Sequence, residues 1–388
     1  MVIAVSEYQY YEFQTVDRPL DSAAQESLRS LSSRARISPT RFVNQYNWGD
    51  FQGDPRELMQ RWFDLHLYLA NWGTRRLMLR LPRRFLDTRD LDPFFDEIDW
   101  VKVWTHGDHL LVDIQLESDD RGYMGEEGDE DDSGWLTRLA PLRADMLSGD
   151  LSLFYVLWLT MVQDEMVADD VVEPAGMGPL TEPLEALAEF FDIDLDLVRA
   201  AAAEPDARHE ASSRDVARDW LAALPEADKT DLLLRLVEGD VHVTAELRNR
   251  MRKSRPRPSR PARTVGALRL RAQEIREERE RAEAERQEAE RRRLAAEAEK
   301  AQQVRLVALK RRGEGVWREI ETEIERRNAA GYDRATGLLA DLQVLAAQEG
   351  SRGDFDRRLA SIRSRHETKP KLIERLEKLG GEGPARLL

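Results

Sequence analysis

The stretch VKVWTHGDHLLVDIQLE, residues 101–117, decides the fold of the first part of the chain. Apolar and polar residues alternate on both sides of Gly107, which is the pattern of two half-buried strands joined by a tight turn. The stretch therefore predicts a β-hairpin that turns near Gly107 and closes a larger sheet.

Upstream segments supply the other elements of that sheet domain. Three of them are rich in aromatic or β-branched residues or alternate in polarity, and they predict strands: YQYYEFQTV (8–16), RFVNQYNW (41–48) and RRLMLRLP (75–82). Two segments between them, 21–35 and 53–73, have Asp caps at their start and predict helices. Because strands and helices alternate, residues 1–117 predict an α/β or α+β domain built on a mixed sheet.

Residues 134–249 predict a helical part packed on that sheet domain. They form short amphipathic segments separated by Pro, Gly and Asp, and the apolar run 151–162 indicates a buried helix. Each segment is too short to be stable alone in water, so we expect the helices to pack together or onto the sheet. Between the two parts, residues 118–133 contain eight acidic residues and three glycines, which predicts a flexible surface loop.

The charge of the chain is distributed unevenly. The formal net charge is -15, yet residues 250–312 contain 21 Lys or Arg against 10 Asp or Glu, whereas residues 1–249 contain 24 against 50. The basic region opens with RMRKSRPRPSRPAR (250–263), whose prolines predict an extended hinge. Its candidate anion or nucleic-acid contacts are Arg250, Arg252, Lys253, Arg255, Arg257, Arg260 and Arg263. The same charges fit a soluble linker that pairs with the acidic body of the chain, so both interpretations stay open.

Residues 264–312 predict a long charged helix. Ala, Glu, Arg and Leu dominate this segment, and it contains no proline. One heptad position reads Leu268, Ile275, Ala282, Ala289 and Ala296, but its companion position carries Arg or Glu. The segment is therefore either an exposed single helix stabilised by opposite charges four residues apart, or a weak coiled coil that forms a homodimer. Residues 313–388 then predict four short helices, which we interpret as a small helical docking module.

Several classes of chemistry lack their sequence signatures. The chain has no cysteine, which excludes disulfides, thiolate metal sites and cysteine nucleophiles. It also has no glycine-rich phosphate loop, no GxSxG and no HExxH motif. The string THGDH (105–109) offers His106 and His109 as metal ligands, with Asp108 and Asp113 nearby, but we favour the interpretation as a hairpin turn with exposed polar residues. We predict no catalytic residue, no metal and no cofactor.

The sequence also bears on the compartment. The first residues lack the basic and apolar regions of a secretory signal. The longest nearly unbroken apolar run, 151–162, is too short to span a bilayer. We therefore expect a soluble cytoplasmic protein that does not contact the membrane.

Two parts of the chain resemble known families. The block YYEFQTVDRPLD, ISPTRFVNQYNWGDFQGDP and LMLRLPRRFLD, within the first ninety or so residues, resembles a family of uncharacterised bacterial proteins. The segment that begins YDRATGLLADLQVLA and ends KLIERLEKLG is similar to the helical tail of bacterial SWIM zinc-finger proteins. Because the chain has no cysteine, the zinc motif is missing, and the resemblance implies only a shared docking or packing module.

These observations favour a non-enzymatic interaction or scaffold subunit, in which a long helical spacer joins two contact modules and another protein is the partner. The alternative is a nucleic-acid-binding protein that uses residues 250–312. A second alternative is a metal-dependent, hydrolase-like enzyme that uses the region of His106 and His109.

Overall fold

The structure, a computed structural model, describes residues 8–95, 98–117, 134–174, 177–202, 213–254 and 263–381. It confirms an α+β body followed by a long helix and further short helices. The strands are β1 (Gln9–Gln14), β2 (Arg36–Ile37), β3 (Arg41–Tyr46), β4 (Leu65–Ala70), β5 (Arg75–Pro82), β6 (Val101–His106) and β7 (His109–Leu116). The helices of the body are α1 (Ser22–Leu31), α2 (Pro55–Arg61), α3 (Asp92–Phe95), α4 (Trp135–Leu139), α5 (Pro141–Leu147), α6 (Ser152–Gln163), α7 (Glu182–Phe191), α8 (Leu195–Ala201), α9 (Ser213–Ala223), α10 (Glu226–Val237) and α11 (Val243–Ser254). They are followed by α12 (Val265–Arg312), α13 (Glu314–Glu325), α14 (Ala329–Gln348), α15 (Arg352–Arg365) and α16 (Pro370–Gly381).

The seven strands form one sheet in the order β2-β3-β1-β4-β5-β7-β6. The sequence predicts a mixed sheet, whereas every pairing between the named strands is antiparallel. The physical reason is the position of β1. Helix α2 connects β3 to β4, which run in the same direction as a strand–helix–strand crossover requires, but β1 lies between them and is antiparallel to both.

One sequence-based element is wrong in its second half. The segment 53–73 predicts a single helix, but the helix α2 ends at Arg61 and β4 begins at Leu65. Leu65, Leu67 and Leu69 recur every second residue, and all three are buried on one face of the sheet. This period of two is the period of a strand, and it decides the local structure because β4 has a neighbour on each side.

The hairpin predicted around Gly107 is confirmed. Strands β6 and β7 pair from Val101 opposite Ile114 to His106 opposite His109. Gly107 has a φ of 56°, a left-handed conformation that glycine adopts without steric cost.

Both faces of the sheet are covered by helices. One face packs against α4 to α8 in a single apolar cluster, and α6 is buried from Ser152 to Val162, as the sequence predicts. The other face carries a smaller cluster with Phe13, Phe42 and Met78 from the strands and with side chains from α1 and α2. The acidic segment 118–133, predicted as a loop, lies outside the described residues.

The first turns of α12 belong to the core of the body. Val265 and Leu268 are fully buried, and Ala272 is nearly so, within the same apolar cluster as the sheet. The chain divides into two compact units between Arg279 and Glu280, that is, within α12. We call the part up to Arg279 unit 1 and the part from Glu280 onward unit 2. The residues predicted as the basic hinge are partly helical, since α11 continues through Ser254, and residues 255–262 lie outside the described residues.

Unit 2 contains the four short helices that the sequence predicts after residue 313. Helices α13 to α16 share an apolar cluster that includes Val316, Ile320, Leu339 and Leu372, and Leu309 from the end of α12 joins it. This module therefore has a core of its own.

The docking of α12 on unit 1 generates a stability prediction. Leu268→Ala should lower the free energy of unfolding of the full-length protein by about 2–5 kcal/mol, because it removes a fully buried side chain from the core. The matched control is Leu294→Ala in the same helix, where the side chain is 52% exposed and the change should be within about 0.5 kcal/mol. Urea unfolding followed by tryptophan fluorescence measures both, since eight of the nine tryptophans precede Arg279. Equal losses for the two variants would contradict the docking.

Candidate interaction surfaces

Arg263, the last candidate anion contact, is bound to the body. Its Nη2 lies 2.8 Å from Oε2 of Glu173, and its Nη1 donates a hydrogen bond of 2.6 Å to the carbonyl oxygen of Ala200. The hydroxyl of Tyr155 donates to the same Glu173 carboxylate. Next to this contact, a backbone bridge joins Thr264 to Val172. The guanidinium of Arg263 therefore anchors the start of α12.

Three further arginines of α12 pair with carboxylates of unit 1: Arg269 with Asp169, Arg276 with Asp194, and Arg279 with Asp196. Arg269 also donates to the carbonyl oxygens of Val162 and Val167, at 2.9 and 3.0 Å. We call Arg263, Arg269, Arg276 and Arg279 the arginine clamp. Its members are partly exposed, so each ion pair contributes modestly, and the buried apolar residues of α12 supply most of the docking energy.

The other candidate anion contacts have different environments. Arg250 pairs with Glu246 in its own helix, and Arg252 lies 3.0 Å from the carboxylate of Asp150. Lys253 is exposed near the end of α11. Arg255, Arg257 and Arg260 lie outside the described residues.

His106 and His109 face each other across the hairpin turn. Their register makes them direct partners, so both side chains point to the same face of the sheet. Burial, followed by the positive charge of Arg80, lowers the pKa of His109. Among the described residues, no group of three or more His, Asp or Glu side chains is arranged to hold a metal ion. The two histidines therefore form a pair without a third ligand there.

Asp113, a candidate metal ligand in the sequence, is paired with two arginines instead. Arg76 contacts both of its carboxylate oxygens, at 2.7 and 2.8 Å, and Arg56 contacts Oδ2 at 2.9 Å. Burial alone would raise the pKa of Asp113, but the hydrogen bonds from Arg76 and Arg56 outweigh it and lower the pKa. Because Arg56 belongs to α2 and Arg76 to β5, this network fastens α2 to the sheet.

His66 is a buried titratable group that sequence reasoning missed. It is fully buried in β4, where its Nδ1 donates to the carbonyl oxygen of Glu12 at 2.9 Å. Its ring stacks on Phe13 with the ring centroids 3.9 Å apart. Burial, followed by the positive charge of Arg76, lowers the pKa of His66 to about 3. The folded protein therefore holds this ring neutral at ordinary pH, as a part of the core.

The surface of α10 carries a stripe of exposed aliphatic side chains. Leu233, Leu234 and Val237 are 63%, 56% and 86% exposed, and we call these three residues the α10 stripe. Val237 follows Leu233 by four residues and Leu234 by three, and at both spacings side chains are neighbours on the surface of a helix. Sequence reasoning assigned this segment to internal packing because its pattern is amphipathic, yet only Leu232 of α10 is buried. Contiguous exposed apolar surface of this kind marks interaction sites in soluble proteins.

The orientation of α10 is fixed by its inner side. Arg235 of α10 lies 2.8 Å from Asp240 and 2.7 Å from Glu246, and Glu246 belongs to α11. Helix α11 is held in turn by the buried amide of Asn249, which donates to the carbonyl oxygens of Phe85 and Leu147, both at 3.1 Å. The α10 stripe is therefore directed away from a helix that is itself anchored on the body.

The depressed pKa of His66 predicts a pH-dependent stability. The unfolded chain binds a proton at His66 near pH 6.5, while the folded chain does so only near pH 3, so the contribution of His66 is complete above about pH 6.5 and is lost as the pH falls toward 3. Between pH 7 and 5 this loss amounts to about 2 kcal/mol in the free energy of unfolding. His66→Asn keeps a donor for Glu12 and should remove this part of the pH dependence. Urea unfolding at both pH values compares the two proteins, and an equal decrease in both would refute the assignment.

The described helices can be compared with the length and apolarity that a membrane span requires. Within the described ranges, no single helix meets both requirements. The pair Trp135–Leu147 and Ser152–Gln163 meets them only when its two parts, which are bent relative to each other, are taken together.

No protein-family model matches the chain, and no curated protein or solved structure is significantly similar to it. The two resemblances drawn from the sequence therefore stay predictions, and a functional proposal depends on the surfaces described above.

Proposed function

We propose that the chain is a non-enzymatic protein-interaction subunit in which α12 is a spacer that joins two contact modules. The observation that carries this proposal is the exposure of α12 beyond unit 1. Every residue from Ala289 to Ala301 is exposed, so this part of the helix packs against no other described element. A helix that is polar on all sides bridges between modules when charged pairs stabilise it.

Such charged pairs are present. Glu288 contacts Arg291 at 2.6 Å and Arg292 at 2.8 Å, at spacings of three and four residues. Each pair of this kind stabilises a helix by about 0.2–0.5 kcal/mol, which is small individually but accumulates along a solvated helix. The proposed spacer therefore needs no partner helix for its stability.

The largest apolar residues that would form a coiled-coil seam on α12 pack against unit 1 instead. Leu268 is fully buried in unit 1, and Ile275 packs against the same cluster. The seam then has only Ala282, Ala289 and Ala296 beyond unit 1, which supply little apolar surface for a dimer. These contacts favour a single exposed helix over a homodimer through α12.

The nucleic-acid alternative has fewer available cations than the sequence suggests. The four residues of the arginine clamp are engaged by carboxylates of unit 1, and Arg250 and Arg252 also have acidic partners. A phosphate backbone would have to compete with these contacts, beside a body with 50 acidic residues before residue 250. The same surface charge opposes the approach of a polyanion.

Electrophoretic mobility shifts test that alternative. With single- and double-stranded DNA and RNA at about 50 and 200 mM salt, we expect the full-length protein to produce no retention that depends on salt. The comparison protein carries Arg250→Ala, Arg252→Ala and Lys253→Ala. Retention of the unmodified protein that falls steeply with salt, and that these three substitutions abolish, would replace the interaction proposal with nucleic-acid binding.

Site-specific photo-cross-linking in the native cell tests the interaction proposal itself. A photoreactive amino acid replaces Val237 in unit 1 or Val307 in unit 2 of the full-length chain, since both side chains are exposed, at 86% and 62%. We expect both positions to trap another protein. Glu290, which is exposed in the middle of the proposed spacer, is the matched control and should trap none. If Val237 and Val307 trap nothing, or trap only second copies of this chain, the proposal is wrong.

A further inference from the structure

We infer that the α10 stripe is the docking site for an amphipathic helix of another protein, whose apolar face is flanked by Lys and Arg. This inference rests on the proposed interaction function and specifies the partner of unit 1. The stripe is held outward by the contacts of Arg235 with Asp240 and Glu246, so its exposure is a property of the folded protein and does not depend on fraying of the helix.

The apolar part of the surface supplies the attraction. Leu233, Leu234 and Val237 each expose more than half of their surface, and removing such apolar surface from water favours association. The stripe occupies the last turn of α10, a helix of 12 residues. Side chains on one helix form ridges that fit between the ridges of a second helix, so the matching partner is a helix with apolar residues at spacings of three and four.

The charges around the stripe determine which charge we expect on the surface of the partner. Helix α10 and the residue after it carry four acidic residues: Glu226, Asp228, Asp231 and Glu238. Both basic residues of the helix lie beside acidic ones: Lys229 is 3.5 Å from Glu226, and Arg235 is bound to Asp240 and Glu246 and lies 3.8 Å from Asp231. The segment has four acidic residues against two basic ones, so the rim of the stripe carries a net negative charge, and complementarity across an interface favours a basic rim on the partner.

The same charges disfavour the other occupants. Two copies of α10 packed against each other would bring Asp231 and Glu238 against their counterparts, and like charges in contact oppose association. A nucleic acid and an anionic lipid surface are repelled for the same reason. A basic amphipathic helix satisfies both the apolar stripe and the acidic rim.

Three synthetic peptides of about 18 residues test this assignment with the full-length protein. The first has Leu at helical spacings of three and four with Lys on both flanks, the second has Glu on the flanks, and the third has the composition of the first in scrambled order. Fluorescence anisotropy should show at least tenfold tighter binding of the Lys-flanked peptide than of the other two. Equal binding of the Lys-flanked and scrambled peptides would overturn the inference, because attraction would then be only a matter of net charge.

Protein variants locate the binding site. Leu234→Asp with Val237→Asp should weaken binding of the Lys-flanked peptide at least tenfold, and Leu294→Asp, at a comparably exposed leucine of α12, should leave it unchanged. Asp231→Lys with Glu238→Lys should reverse the preference toward the Glu-flanked peptide. All these positions are exposed, so circular dichroism should show an unchanged fold. Binding that is insensitive to the α10 substitutions would overturn the inference.

The outcomes also separate this inference from the proposed function. If Val237 traps another protein in the cell but the Lys-flanked peptide fails to bind, the interaction function stands and the partner chemistry assigned here is wrong. If the substitutions in α10 abolish a concentration-dependent dimer in sedimentation, the occupant is a second copy of the chain, and the inference is likewise wrong.

Discussion

The docking of the first turns of α12 into unit 1 is the constraint on which the layout of the chain depends. Val265 and Leu268 enter the same apolar cluster as the central sheet, so the long helix begins inside the body. The arginine clamp then pairs the positive charge of this segment with acidic residues that would otherwise repel one another. For these four arginines, internal pairing accounts for the positive charge that the acidic chain carries at this point.

The charge pattern of the sequence indicated this pairing only in general terms. The excess of Lys and Arg after residue 250 was compatible with a phosphate partner or with the acidic body. What decides between them for Arg263 is its contact with Glu173, a residue ninety positions away, beside the hydroxyl of Tyr155. Composition records the number of charges, but it contains no information on which distant carboxylate faces which guanidinium.

Local patterns predicted those parts of the fold that depend on neighbouring residues. The alternation on both sides of Gly107 was sufficient for the hairpin, and the absence of proline with many helix formers was sufficient for α12. Features that depend on residues far apart in the sequence could not be predicted. Strand β1 lies between β3 and β4 and is antiparallel to both, so all pairings are antiparallel although a helix connects β3 to β4. No residue pattern in β1 indicates this position. The burial of His66 likewise depends on its contacts with Phe13 and with the carbonyl oxygen of Glu12, which the local sequence around His66 does not indicate.

Helix α10 shows why an amphipathic pattern does not by itself identify a core. Its leucines favour burial on any hydropathy scale, and a helix of 12 residues gains most of its stability from packing. In the structure, one leucine and one ion-paired arginine are enough to orient it, because α11 behind it is already fixed through Asn249. The remaining aliphatic side chains are then not required by unit 1 for its own fold. They leave exposed apolar surface beside the acidic residues of the same helix, and this is the observation behind the proposed docking site.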